Sequence, residues 1–177
     1  MSLDPRSPLH RFRVDPRAAR RDAVERLLGL GVTLAEIPAA RSRHLLARFV
    51  DEFVDPERAP ALTAEISGSH LVPRRPLDFD RWLRPECVRR GRVAADGCVR
   101  WLREGIGASQ PAPPCIRFER AADLPALAVD LSTLDDTWAA SWPGLFVSFE
   151  AARAVAVTLD YEEIRCDLHP ARGTPYR

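Results

Sequence analysis

The stretch from Trp142 to Leu168, WPGLFVSFEAARAVAVTLDYEEIRCDL, constrains the fold most, because no other long segment repeats its apolar residues with the period of a strand. Leu145, Val147 and Phe149 recur at every second position, a short gap follows, and Val155, Val157, Leu159 and Tyr161 alternate again. Side chains two apart on a strand share a face, so the pattern predicts two antiparallel strands with a buried face formed by the odd-numbered positions. The phase then changes: Ile164, Cys166 and Leu168 are even-numbered. A strand changes phase only through a bulge or a break, which places a discontinuity at Glu162 and Glu163.

Ahead of this stretch the pattern is helical. Asp15 followed by Pro16 is a start signal, since an Asp side chain caps the first amides and Pro at the first helical position loses no bond. Ala19, Ala23, Val24, Leu27 and Leu28 form the stripe, and Gly29 and Gly31 end it. Thr33 and Glu36 have the spacing of a capping box, and a longer helix is expected from about Ala39 to Val54 with Leu45, Leu46, Phe49, Val50, Phe53 and Val54 buried. Prolines at 60, 73, 76 and 85 predict an irregular wrap from Ala59 to Pro85, with one helical turn around Phe79 and Trp82. Cys98, Val99, Trp101 and Leu102 predict a helix over Val93–Glu104, Ile116 and Phe118 a short strand, and Asp123 to Leu134 an irregular connection.

Helices first and strands last predict an α+β fold: amino-terminal helices packed on a small carboxy-terminal antiparallel sheet covered on one side. A length of 177 residues with 46% apolar content suits one domain. Within it, residues 1–104 form a mainly helical layer, 105–115 a Pro/Gly connector, 116–168 the strand-rich layer and 169–177 a tail.

Composition excludes some chemistry. All 26 basic residues are arginine, and the chain has neither lysine nor asparagine. A phosphate-loop lysine and a Schiff-base lysine are therefore absent, and arginine does not replace them as a base because it stays protonated. The bias is that of a GC-rich coding sequence and predicts a bacterial source. The amino-terminal residues lack the apolar run of a secretory signal, and no stretch is long and apolar enough to span a membrane, so a cytoplasmic location without membrane attachment is expected. Cys87, Cys98, Cys115 and Cys166 are then expected as buried thiols.

Charge is uneven. Residues 1–110 carry 20 arginines against 15 acids, net +5, and residues 111–177 carry 6 against 10, net −4. Asp160, Glu162, Glu163 and Asp167 crowd the end of the predicted hairpin, with Asp135 and Asp136 as possible neighbours. Such carboxylates form a solvated face, an acidic patch for a basic partner, or a pair that shares a divalent cation and divides acid and base roles. The stretch DYEEIRCD has no calcium-loop spacing, and the cysteines and His10, His44, His70 and His169 have no zinc spacing, so neither a metal nor another cofactor is expected. Cys166 near His169 in sequence, and Ser148 without the glycines of a nucleophile elbow, do not define a nucleophile.

Trp138 and Trp142 complete the candidate set, since large aromatics beside a polar rim anchor interfaces as well as cores. In size and in its acidic carboxy-terminal hairpin the chain resembles small bacterial immunity and antitoxin proteins, a likeness of type. The expected function is non-catalytic protein binding, as in an inhibitor of a basic toxin or nuclease, through Trp138, Trp142, Asp160, Glu162, Glu163 and Asp167. A small metal-assisted hydrolase built on the carboxylates near Asp160 is the alternative. A third reading is nucleic-acid binding by a helix-turn-helix over the first two helices, with Arg41, Arg43 and Arg48 on phosphates. The double apolar row of the second helix makes a nucleic-acid partner the less favoured of the three.

Overall fold

A computed structural model describes residues 15–67, 79–92, 97–106, 113–119, 124–135, 142, 144–157 and 162–169. Among them are five α-helices, α1 (Pro16–Gly29), α2 (Ala39–Phe53), α3 (Ala59–Ser67), α4 (Phe79–Trp82) and α5 (Cys98–Ile106), and one 3-10 turn, Pro85–Cys87. Seven strands join them: β1 (Leu34–Glu36), β2 (Val88–Arg92), β3 (Cys115–Phe118), β4 (Leu127–Val129), β5 (Gly144–Ser148), β6 (Arg153–Val157) and β7 (Glu162–Asp167). All seven form one antiparallel sheet in the order β1-β4-β3-β5-β6-β7-β2. The α+β class expected from the sequence is therefore present, but the sheet is neither small nor confined to the carboxy-terminal part. Its two outer strands, β1 and β2, precede the five inner strands in the chain.

The register explains how the sheet buries both faces. One cross-strand row runs Ala35, Ala128, Ile116, Val147, Ala154, Cys166, Val88. It lies under α2, whose Leu45, Phe49, Val50 and Phe53 recur every three or four residues and join the same core cluster. The alanines in this row leave room for Phe49 and Phe53, which stack with ring centroids 5.4 Å apart. A buried helix polar group is also satisfied there: the Ser42 hydroxyl donates to the Ile37 carbonyl and accepts from the Ala126 amide, both at 3.0 Å. The adjacent row on the opposite face runs Glu36, Leu127, Arg117, Phe146, Val155, Arg165, Arg89. Leu27 of α1 and Val99 and Leu102 of α5 pack on that side together with Phe146, Val155 and Val157.

Several expectations are corrected by this register. Leu145 pairs with Ala156, so Leu145 and Val147 face α2 whereas Val155 and Val157 face α1 and α5. The odd-numbered apolar residues of the two strands thus lie on opposite faces, because the turn between them shifts the pairing from odd–odd to odd–even. With Ala156 opposite Ile164, the even phase of β7 simply continues the α2 face of β6, and the apparent discontinuity at Glu162 and Glu163 is no register slip. Thr33 and Glu36 do not form a capping box. The Thr33 carbonyl accepts from the Asp130 amide at 2.9 Å and the Ile37 amide donates to the Ala126 carbonyl at 2.8 Å, which makes the intervening residues an edge strand.

Other boundaries moved less. Asp15 caps α1 through its carboxylate and the Arg17 amide (3.0 Å), with Pro16 at the first position, and α2 begins one residue after Pro38. α3 occupies part of the expected wrap, and β2 and β4 arise in segments too short or too polar for alternation to register. Residues 93–96, where the last helix was expected to begin, and most of the 105–115 connector and the 169–177 tail lie outside the described residues. Finally, β1 separates α1 from α2, and the two helices cover opposite faces of the sheet. That arrangement is not a helix-turn-helix, whose two helices pack against each other.

Candidate binding groove

The cross-strand row on the α1 side contains an arginine where a sheet interior normally holds an apolar residue. Arg117 is only 1% exposed. Its guanidinium sits 3.6 Å from the Trp142 ring centroid and 5.6 Å from that of Phe146, and it forms a close ion pair with Glu119. Burial pulls the pKa of Arg117 well below its ordinary value, to about 10, with Glu119 opposing the fall, so the group is charged at neutral pH. A buried cation of this kind costs several kcal/mol unless paired and hydrogen-bonded, and Glu119 and the aromatic faces offset that cost.

Glu119 is shared with the first helix. Arg20, one turn into α1, approaches Glu119 at 3.3 Å, donates to Glu36 of β1 at 3.0 Å and donates to the Pro125 carbonyl at 3.0 Å. One side chain thus ties α1 to β1, to the end of β3 and to the segment before β4. The tie holds α1 at a fixed spacing from the edge of the sheet.

That spacing leaves a groove of about 570 Å³. Arg17, Arg20, Arg21, Val24, Glu25 and Leu28 line its helical wall, and their spacing of three and four residues is that of a single α1 stripe. All of β1, Leu34, Ala35 and Glu36, lines the opposite wall, and Leu127 contributes to the floor. The chain turns back at Gly31, whose φ of +84° suits glycine, so α1 and β1 run in opposite directions. The Arg17 and Arg21 end of the helix therefore stands beside Glu36, and Leu28 stands beside Leu34. One end of the groove is basic and the other apolar. Leu28, 50% exposed, and Leu30 are the exposed large hydrophobics among the described residues.

The residues expected to form a site do not converge here. Trp142 is 6% exposed and lies edge-on to Phe146 at 6.1 Å, which makes it a core residue covering Arg117 rather than a surface anchor. Asp167 accepts from Arg153 at 3.1 Å and from the His169 amide at 3.0 Å. Glu162 and Glu163 are in β7, opposite Arg92 and Gly91 of β2. β7 is thus an inner strand and not the wet edge expected from its charges, and Asp167 stands four residues along it from Glu163. Trp138, Asp160 and Asp136 lie outside the described residues. Asp135 is exposed on the turn after β4. Among the described residues no group of three or more His, Cys, Asp or Glu is placed to hold a metal ion, and no helix is long and apolar enough to cross a membrane.

All four cysteines are buried free thiols. Burial raises the pKa of Cys115, Cys166 and, to a lesser degree, Cys87 above the ordinary value of 9.0, so these thiols are neutral and poorly nucleophilic at pH 7.

The groove escaped sequence reading because its two walls are weak signals. β1 has only three residues, and the exposed Leu28 is indistinguishable in sequence from the buried Leu27 beside it. Compared with protein-family models, with curated proteins and with solved structures, the chain matches none of them.

Proposed function

We propose that the protein acts by binding another polypeptide, and that the surface it uses is the groove between α1 and β1 rather than the tryptophan and acid set of the carboxy-terminal sheet. The observation that carries this reading is the groove itself: a helix stripe and a sheet edge held apart by Arg20, with Leu28 left half exposed between them. Apolar surface kept open beside charged rims is characteristic of interaction sites. Trp142 and Asp167, engaged as they are, offer little to a partner.

The test is a selection of displayed protein fragments on the full chain, followed by binding measurements on variants. Leu28→Asp places a charge in the apolar end of the groove and is expected to abolish binding of the selected fragments. Arg43→Glu, exposed on α2 across the sheet, is expected to leave it unchanged. Fragments that bind Leu28→Asp as well as they bind the wild type would place the binding surface elsewhere and end this reading.

A further inference from the structure

The edge of β1 carries information about the form the occupant takes. In an antiparallel ladder the residues that bond to the neighbouring strand alternate with residues that point their amides and carbonyls away from it. Thr33 and Ile37 both bond toward β4, through the Asp130 amide and the Ala126 carbonyl. Ala35 is next in that alternation, so Leu34 and Glu36 turn their N–H and C=O groups outward. No strand lies beyond β1 among the described residues. The side chain of Ala35 belongs to the α2 face of the sheet, yet Ala35 lines the groove on the α1 side, so the groove reaches the backbone of the edge.

Resting on the reading above, we infer that the partner enters as an extended segment that adds a strand to β1 and lays a carboxylate against Arg21. Strand addition satisfies the outward backbone groups of Leu34 and Glu36 and seats alternate side chains of the segment toward Val24 and Leu28. The three residues of β1 offer about 10 Å of edge. A strand so short gives few backbone bonds, so the rim must supply the remaining affinity and the polarity. The lining carries three arginines against two glutamates. Arg20 is already shared by Glu36 and Glu119. Arg21, exposed, faces the groove from the second turn of α1. The occupant is therefore a segment of another protein with an acidic residue or terminal carboxylate at the end next to Glu36 and apolar residues at every second position toward Leu28.

The test uses the full chain and a synthetic peptide taken from the fragment selection. A series of that peptide is made in which each backbone amide in turn is N-methylated. Strand addition predicts losses of at least about five-fold in affinity at every second position, with the positions between tolerated, because only alternate amides face β1. On the protein, Leu34→Pro removes an outward amide and no bond to β4. It is expected to weaken binding at least about five-fold, while Leu34→Ala, which keeps the amide, weakens it less. Replacing the acidic residue of the peptide by its amide is expected to weaken binding of the wild type and to have no effect on Arg21→Gln.

Losses at consecutive or three-to-four-spaced positions, with Leu28→Asp still abolishing binding, would keep the groove and overturn strand addition. Binding untouched by Leu28→Asp would overturn both. Concentration-dependent doubling of mass in light scattering, blocked by Leu34→Pro, would assign the edge to a second copy of this chain and overturn the inference as well. The N-methyl series needs no protein variant, so it decides the matter even if Leu34→Pro does not fold.

Discussion

Gly144 stands where any side chain meets Arg117. A Cβ built there lies 2.8 Å from Nη2 of Arg117 and 3.1 Å from the Phe118 carbonyl oxygen. The guanidinium is enclosed by Trp142 and Glu119 and has nowhere to retreat, so Gly144→Ala is expected to cost about 1–3 kcal/mol, read as a lower urea midpoint. Ala152 presents the opposite case. Its φ of +53° is a left-handed conformation that costs an L-residue about 1–2 kcal/mol, against roughly 0.5–1 kcal/mol of extra backbone entropy for glycine. Ala152→Gly is therefore expected to raise stability by about 0.5 kcal/mol in the same measurement. The buried thiols set a pH dependence. In the unfolded chain they titrate near 9.0, while in the native protein burial holds Cys115 and Cys166 well above it. Below pH 9 their contribution is constant; above it the unfolded state releases protons that the native state keeps, so stability falls as pH rises. Arg117 acts with the other sign, but only above about pH 10. Between pH 9 and 10 the thiols are thus the ones of these groups that act. Denaturant midpoints at pH 7 and pH 9.5 are expected to differ, and Cys115→Ala with Cys166→Ala is expected to flatten the difference.

At the scale of elements, Val157 tests the register. It is buried in β6 against the α1 and α5 side. Val157→Asp places an unpaired charge there at a cost of several kcal/mol against a total stability of roughly 5–15, and loss of the folded circular dichroism spectrum is expected. α1 and α2 were legible because each has a strong local signal: Asp15-Pro16 for α1, and a three-to-four spacing ending at Asp55-Pro56 for α2; α3, in the proline-rich stretch, was not. The hairpin β5–β6 was legible by alternation. Which face each strand buried was not, because both faces are covered and every residue of β5 is buried, so that Leu145, Phe146 and Val147 all look alike in sequence. β1, β2 and β4 were illegible for a different reason. They are short or arginine-rich, and the strand state of β1 and β2 is imposed by partners about 70 to 95 residues away in sequence, beyond the reach of local propensity. The groove inherits that illegibility, since one of its walls is β1. Whether Trp142 served the core or a surface was not legible, because exposure of a tryptophan cannot be read from its neighbours, and the arginine it covers, Arg117, comes from β3.

At the scale of the whole molecule, the sheet is closed by its two earliest strands, β1 at one edge and β2 at the other, with the strands β3 to β7 between them. A fragment spanning residues 113–169 holds all five inner strands but lacks α2, α1, α5 and both edges, leaving the apolar rows of both faces bare. It is expected to be unfolded or aggregated on its own, and a folded, monomeric fragment by circular dichroism and light scattering would show that the helices are accessory. The same closure makes the fold rich in distant contacts, which places its refolding toward the slow, millisecond-to-second end of the range for single domains.

During synthesis this topology has a further cost. β1 emerges from the ribosome long before Leu127–Val129 exists to pair with it, and β2 long before Glu162–Asp167. At roughly 5–20 residues per second the two edges wait on the order of 4–20 s for their partners. Throughout that interval α2 carries Phe49 and Phe53 with no sheet to cover them. The nascent chain is therefore a natural client for a holding chaperone until its last strand has left the tunnel.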